Sequence, residues 1–327
     1  MILKKNILKT AIIGFGHIGK IHFENISQNE SLKLVALVDT NDIVVEDNSV
    51  SIFSTISECH TNFPDIDLYI IASPNGLHYD QAKEILDLSK NVLVEKPITL
   101  YKDQTEKLIN LAKKNNVRLF TSLQLRFSDL INHVKNLIEK KFLGEIFLIR
   151  VECFWNRNNA YYENSLWRGT KSLDGGVLFT QFSHFIDVLH YLLGKLELIT
   201  NLATNFTHKK VIEFNDSGII EFKSDKTLGS MFYTISTFEK NFDSSITLIA
   251  EKGTIKIGGQ YMDQLVFHNV ADFPAENIAL NKESLHTLMY TEIVQSLKNS
   301  KPSRIDAENA INTIDFIEKA IKLEKNV

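Results

Sequence analysis

The stretch AIIGFGHIGKIH places Gly14, Gly16 and Gly19 in a G-x-G-x-x-G spacing directly after a short β-branched run. At such a strand-to-helix turn the first glycine allows the tight turn, the second lets the backbone approach a pyrophosphate, and the third lets helix and strand pack closely. The helix that follows would offer its unpaired N–H groups to the phosphates. Gly14, Phe15, Gly16, His17, Ile18 and Gly19 are therefore the expected dinucleotide cradle. Asp39 follows Gly19 by 20 residues, at the end of a second apolar run. A carboxylate there can accept hydrogen bonds from both ribose hydroxyls of an adenosine and would repel a 2′-phosphate. Thr40 and Asn41 come next, with no Arg or Lys beside them, so NAD is expected rather than NADP.

Further chemistry-bearing residues follow. Ser73-Pro74-Asn75 ends an apolar run, where ligands bind in parallel sheets. Asn75 could touch a nicotinamide ribose, while His78 could face the cofactor or simply cap or pack the next helix. Glu95-Lys96-Pro97 directly follows the run NVLV. In TQFSHFID, His184 titrates near neutrality and suits removal of a hydroxyl proton. Thr180 stands four residues earlier, so the two would share a face of one helix. Asp187 could orient His184 or be a solvated or salt-bridged helix residue. His184, Asp187 and His190 on a single helix offer poor tetrahedral geometry, so no metal is expected. The loop WNRNNAYYENSLWRGTKSLDGG is rich in Arg, Asn, Tyr and Trp, a mixture that suits a sugar bearing a carboxylate or phosphate. Its candidates are Arg157, Tyr161, Tyr162, Trp167, Arg168 and Lys171, joined by Gln124 and Arg126 from SLQLRF.

These residues need elements to hold them. Apolar runs at 10–13, 33–38, 68–72, 91–94 and 117–121 predict strands, and 17–29, 76–88 and 101–116 predict helices between them. Short apolar strands alternating with helices indicate a parallel sheet covered on both faces. The pattern changes near residue 123. A helix is predicted over 129–140, a long strand over 146–155, a polar loop over 156–174 and a helix over about 178–193. β-rich runs between 196 and 260 suggest a mostly antiparallel sheet. Helices over about 284–299 and 305–324 close the chain, and the apolar face of the first, which carries His286 and Tyr290, is assigned to core. The domains are placed at 1–122 and 123–327, with the C-terminal helix free to pack back on the first.

Length and composition narrow the class. A chain of 327 residues exceeds one ordinary domain, and 44% hydrophobic with 23% charged residues is a globular balance. With 36 basic against 40 acidic residues there is no bulk electrostatic case for nucleic acid or an anionic membrane as partner. The two cysteines, Cys59 and Cys153, form no disulfide framework or zinc spacing, which fits a reduced cytoplasmic compartment. The opening MILKKNILKTAIIGFG is cut by Lys4, Lys5, Asn6 and Lys9 and has no small-residue cleavage site, so neither a signal peptide nor a membrane span is expected.

Taken together, GFGHIG, SPNGLH, Glu95-Lys96-Pro97 and GGVLFTQFSHFID resemble the Gfo/Idh/MocA oxidoreductases, in order and over nearly the whole chain. The resemblance implies an α/β architecture: an N-terminal Rossmann domain, doubly wound around a parallel sheet, and a C-terminal α+β domain with an open, mostly antiparallel sheet whose outer face serves a homodimer or homotetramer. It implies hydride transfer between a sugar-like carbinol carbon and NAD. Lys96 would contact the reacting hydroxyl, where an ammonium stabilises a developing alkoxide. Pro97 would fix the turn, often through a cis bond, and Glu95 would hold Lys96 or cofactor groups. The implied catalytic pair is Lys96 and His184. The implied cofactor contacts add Ser73, Asn75, His78, Glu95, Lys96 and Gln124 to the glycine cradle and Asp39. The implied substrate contacts are Lys96, Arg126, Arg157, Tyr162, Arg168, Thr180 and His184. Thr180 stands where the family commonly has Asp, which weakens any His–Asp dyad. The polar loop resembles that of UDP-N-acetylglucosaminuronate 3-dehydrogenases of bacterial surface-polysaccharide pathways. The implied alternatives are oxidation of another sugar, inositol or nucleotide sugar, or a non-catalytic NAD-binding sensor.

Overall fold

The computed structural model describes residues 7–274, 278 and 283–326. Its packing divides the chain into two units. The first holds the described residues up to Ser122 together with Glu283–Ile311; the second holds those from Leu123 onward and the chain from Asn312. The boundary at residue 122/123 matches the expected one, and the segment Glu283–Ile311 groups with the first unit.

In the first unit, β1 (Leu8–Ile13), α1 (His17–Ser27), β2 (Leu32–Val38), β3 (Ser51–Phe53), α2 (Ile56–Asn62), β4 (Leu68–Ile71), α3 (His78–Asp87), β5 (Asn91–Val94), α4 (Lys102–Lys114) and β6 (Leu119–Thr121) alternate along the chain. The strands form a sheet in the order β3-β2-β1-β4-β5-β6, parallel throughout. All four residues of β4 are buried, as expected of a strand covered on both faces. Strand order reverses between β1 and β4, and ligands bind at the carboxyl ends of strands at such a switch point. Gly14 and Ser73 lie just beyond those two strand ends. The short elements β3 and α2 were not expected; neither spans enough residues to show a period.

In the second unit, α5 (Asp129–Glu139), β7 (Ile146–Phe154), α6 (Asn159–Glu163), α7 (Val177–Thr180), α8 (Ser183–Leu193), β8 (Glu197–Thr204), β9 (Ser217–Ser224), β10 (Thr227–Thr234), β11 (Asp243–Ala250), β12 (Gly253–Gly258) and β13 (Gln264–Val270) precede the described part of the chain's end. That end supplies α9 (Leu285–Asn299) to the first unit, and α10 (Ile311–Lys322) and β14 (Glu324–Asn326) to the second, α10 except its first residue. The sheet order is β13-β12-β11-β7-β10-β9-β8-β14. Among the described strands only β10·β7 and β14·β8 pair parallel, so the sheet is mostly antiparallel as expected. Ile149, Val151, Ile220, Phe222, Met231, Tyr233, Ile246 and Leu248 bury one face. The other leaves Leu148, Leu228 and Ile249 exposed side by side across β7, β10 and β11. The expected helix over 178–193 is two helices. A turn at Gln181 and Phe182 separates α7 from α8, so Thr180 and His184 do not share a continuous helical face. Among the described residues no helix is long and apolar enough to cross a membrane.

Candidate active site

The dinucleotide turn is built around three glycines held for different reasons. Gly14 has φ +89°, and a Cβ there would lie 2.8 Å from the backbone of Ala72 and Ser73. A Cβ on Gly19 would lie 2.2 Å from the Gly14 carbonyl oxygen, so α1 approaches the turn only without a side chain. Gly16 differs: a Cβ would meet nothing within 4 Å, and its φ of −74° suits any residue. Packing gives no reason for glycine there, whereas a closely approaching pyrophosphate does. Gly16 is also the N-cap of α1 and supplies no side-chain cap, and the first turn has no acidic residue. The leading N–H groups are thus open to an anion.

Asp39 is held beside this turn. Phe15 N–H donates to Asp39 Oδ2 (2.7 Å), and the Asn41 backbone and side-chain N–H groups donate to Oδ1 (2.9 Å each). The carboxylate is oriented, and Oδ2, which accepts a single hydrogen bond, keeps a lone pair for a ribose hydroxyl. These residues fit an NAD molecule.

Beyond β4, Asn75 is buried at the start of the 3₁₀ turn Asn75–Leu77, and Ser73 Oγ donates to Gln81 Oε1 (2.5 Å). His78 corrects the expectation that it serves the cofactor. It is fully buried, with Nδ1 2.7 Å from the Pro97 carbonyl oxygen and Nε2 2.9 Å from that of Ser73. Burial pulls its pKa down against these two acceptors. Its ring braces two loops rather than facing a ligand. Glu95 is likewise turned inward, towards His22 and the Lys96 amide. Lys96 is half-buried, and the Lys96–Pro97 bond is cis.

In the second unit, His184 sits half-buried near the start of α8, and the Gln124 amide nitrogen lies 3.2 Å from its Nε2. Thr180 donates to the carbonyl oxygen of Asp174 (3.0 Å) and also to its carboxylate. Asp187 does not orient His184. It forms a bidentate pair with Arg126, Nε to Oδ2 at 2.9 Å and Nη2 to Oδ1 at 2.7 Å. Arg126 is 4% exposed and Asp187 1%. This corrects the placement of Arg126 among substrate contacts: its charge is matched inside the fold, and its guanidinium also lies 4.9 Å from the Tyr191 ring centroid.

The polar loop resolves into an aromatic–cation stack. Two arginine guanidinium groups lie over the Tyr161 ring, Arg168 at 4.1 Å and Arg157 at 5.4 Å from its centroid. Its hydroxyl accepts from Gln181 Nε2 (3.0 Å), and Arg157 Nε donates to Gln181 Oε1 (3.0 Å). Arg168 Nε has no hydrogen-bond partner among the described residues. Tyr162, expected to face substrate, is instead 3% exposed and packs on the His208 ring. Burial pushes the Tyr162 phenol pKa far up. Beneath the loop, His208 places Nδ1 2.9 Å from Asp216 and Nε2 2.5 Å from the Arg157 carbonyl oxygen. Burial opposes its protonation, but these acceptors prevail and its pKa is raised. Burial also works against ionisation of Asp216, yet His208, two backbone N–H groups and Ser217 hold it well below the carboxylate range. Sequence reasoning missed this pair, whose members lie in a stretch read only as β-rich. It also missed His22, three residues after Gly19. Among the described residues, no cluster of His, Cys, Asp and Glu is suited to a metal.

Residues 8–123 match a family described as oxidoreductases with an NAD-binding Rossmann fold, and residues 131–256 match the C-terminal domain of the same family. With the cradle and Asp39 described above, the molecule is an NAD-binding oxidoreductase. The chain belongs to the Gfo/Idh/MocA family, as its motifs implied. It is similar to the WlbA dehydrogenase of Bordetella pertussis, solved with NADH and UDP-GlcNAcA: 27% identity, TM-score 0.88, covering 97% of this chain and 95% of that one. A second WlbA dehydrogenase, from Chromobacterium violaceum and with the same two ligands, is 26% identical with a TM-score of 0.89, covering 99% and 96%. The scyllo-inositol 2-dehydrogenase (NADP(+)) IolW of Bacillus subtilis is 22% identical over 98% of this chain and 95% of its own.

Proposed function

We propose that this protein oxidises a secondary hydroxyl of a nucleotide sugar to a ketone, with the C3 hydroxyl of UDP-N-acetylglucosaminuronic acid as the reacting group, in the making of a surface-polysaccharide sugar. The observation that carries this reading is the Arg157–Tyr161–Arg168 stack, which offers two guanidinium groups over one aromatic ring to an anionic sugar. The likeness to WlbA dehydrogenases holding UDP-GlcNAcA supports it. Bound NAD supplies the hydride acceptor. Gly14 to Gly19 and α1 hold its pyrophosphate, and Asp39 its adenosine ribose. Lys96 stabilises the negative charge that grows on the sugar oxygen as the C–H bond breaks. His184 accepts the hydroxyl proton, directly or through water. The row of Leu148, Leu228 and Ile249 supports assembly into a homo-oligomer through the outer sheet face.

The test is NADH absorbance on mixing the purified protein and NAD with UDP-N-acetylglucosaminuronate, glucose or myo-inositol. Selective formation with the nucleotide sugar, even as a single-turnover burst, supports the reading. Turnover of a control alone moves the substrate. Silence with all three while NAD binds points to a sensor or another substrate.

A further inference from the structure

Behind the Lys96 turn lies a buried polar chain that the chemistry above does not use. The Tyr290 hydroxyl, on α9, is 2.8 Å from His22 Nδ1, on α1. His22 Nε2 is 2.9 Å from Glu95 Oε1, and Glu95 Oε2 accepts the Lys96 backbone N–H at 3.1 Å. The Ser122 hydroxyl also bonds Glu95. Tyr290 and His22 are fully buried, and Glu95 is nearly so. His286, one turn before Tyr290 on α9, stands edge-on to His22 with ring centroids 5.8 Å apart, and its Nε2 has no partner among the described residues.

Burial keeps Tyr290 a neutral phenol, so its O–H can donate to Nδ1 and leave Nε2–H to donate to the carboxylate. Burial alone would raise the Glu95 pKa, but the hydrogen bonds from His22 and the Ser122 hydroxyl overcome it and hold the carboxylate ionised. Burial drops the His286 pKa to about 4, so it adds no cation near neutrality. The chain ends on a backbone amide, which does not relay protons, so it orients rather than shuttles. The same turn is tethered on its other side, where His78 meets the Pro97 carbonyl oxygen. A buried carboxylate costs free energy that an apolar side chain would not. A site where a misplacement of about 1 Å costs up to about 100-fold in rate has a use for it.

We propose that Tyr290 and His22, acting through Glu95, are positioning residues that aim Lys96, and that they tie its turn to α1, the helix whose N-terminus holds the cofactor pyrophosphate. The rate consequence rests on the proposed function. The placement of Lys96 does not.

The test therefore has two readouts on Tyr290→Phe, His22→Leu, His22→Gln and Glu95→Gln. The first is acetylation of Lys96 by limiting acetic anhydride, quantified by peptide mass spectrometry against the exposed Lys83 and Lys107. Its rate should rise several-fold in Glu95→Gln and His22→Leu, as the released turn lets the half-buried Lys96 amine reach solvent. A smaller rise is expected in Tyr290→Phe. His22→Gln, which keeps an N–H for Glu95, should stay near the wild-type rate. The second readout is steady-state kinetics: kcat should fall by about 10- to 100-fold in His22→Leu, with the NAD KM little changed and kcat largely restored in His22→Gln. Unchanged Lys96 labelling in Tyr290→Phe and Glu95→Gln, both folded by circular dichroism, would overturn the proposal. So would equal kcat losses in His22→Gln and His22→Leu. If the wild-type protein turns over no sugar, the functional reading fails while the labelling still decides the positioning.

Discussion

The Arg126–Asp187 pair makes a sharp claim, because the sequence alone recommended Arg126 for a ligand. Both partners are almost wholly buried and joined by two hydrogen bonds, and Thr313 Oγ1 adds a third to Asp187 Oδ1 at 3.4 Å. Replacing Asp187 by Ala leaves a guanidinium in the interior without its counter-charge. Breaking such a buried pair costs about 3–5 kcal/mol. For a unit of this size, at about 2–4 °C per kcal/mol, the thermal midpoint should fall by about 6–20 °C. Removing both charges together, Arg126→Met with Asp187→Leu, should recover most of that loss, since apolar replacement of a buried pair is close to neutral. The assay is thermal unfolding followed by circular dichroism at neutral pH, alongside the sugar KM of the double variant. If Arg126 serves the fold, stability returns and the KM stays within about threefold of wild type. A loss below about 1 kcal/mol in Asp187→Ala, the size of an exposed pair, would refute the reasoning. So would a stable double variant with a greatly raised KM.

Three further outcomes follow from the geometry. Gly16→Ala should leave stability within about 0.5 kcal/mol, since its Cβ meets nothing within 4 Å, yet weaken NAD binding by calorimetry; an unaltered affinity would remove the pyrophosphate from that spot. The His208–Asp216 pair should give a pH-dependent stability. The raised His208 pKa adds stability that is complete below its unfolded value near 6.5 and is lost as pH rises through the folded value, so the midpoint gap between wild type and His208→Gln should shrink from about pH 6 to pH 9. The lowered Asp216 pKa acts oppositely, with stability present above about pH 4 and lost in stronger acid. Lys96→Ala should abolish turnover while sparing NAD binding, and normal turnover would exclude Lys96 from the reaction.

What the sequence revealed depended on whether a residue's partner was near it in the chain. The glycine turn was readable because strand, turn and helix follow each other, and its roles are backbone roles. The parallel sheet was readable from its apolar strands, and the second sheet from its β-rich runs. His78, Glu95, Arg126 and Tyr162 were polar residues read as ligand contacts, and each proved to face a partner that chain separation conceals: Pro97, His22, Asp187 and His208. Polarity near a motif does not reveal whether a side chain points out to a ligand or in to a buried acceptor. The Thr180–His184 face failed for a local reason. An apolar run predicts a continuous helix, yet the chain turns at Gln181, whose side chain is taken by Arg157 and Tyr161.

The central claim is removal of a hydride from a defined carbon of a nucleotide sugar. The most direct measurement uses UDP-N-acetylglucosaminuronate deuterated at C3, mixed with the protein and NAD, with mass spectrometry of the reduced cofactor. The account predicts reduced cofactor one mass unit heavier than with unlabelled sugar, and none from protein carrying Lys96→Ala. Reduced cofactor of ordinary mass would contradict oxidation at C3, and no reduced cofactor from a protein that binds both ligands would contradict the reaction itself.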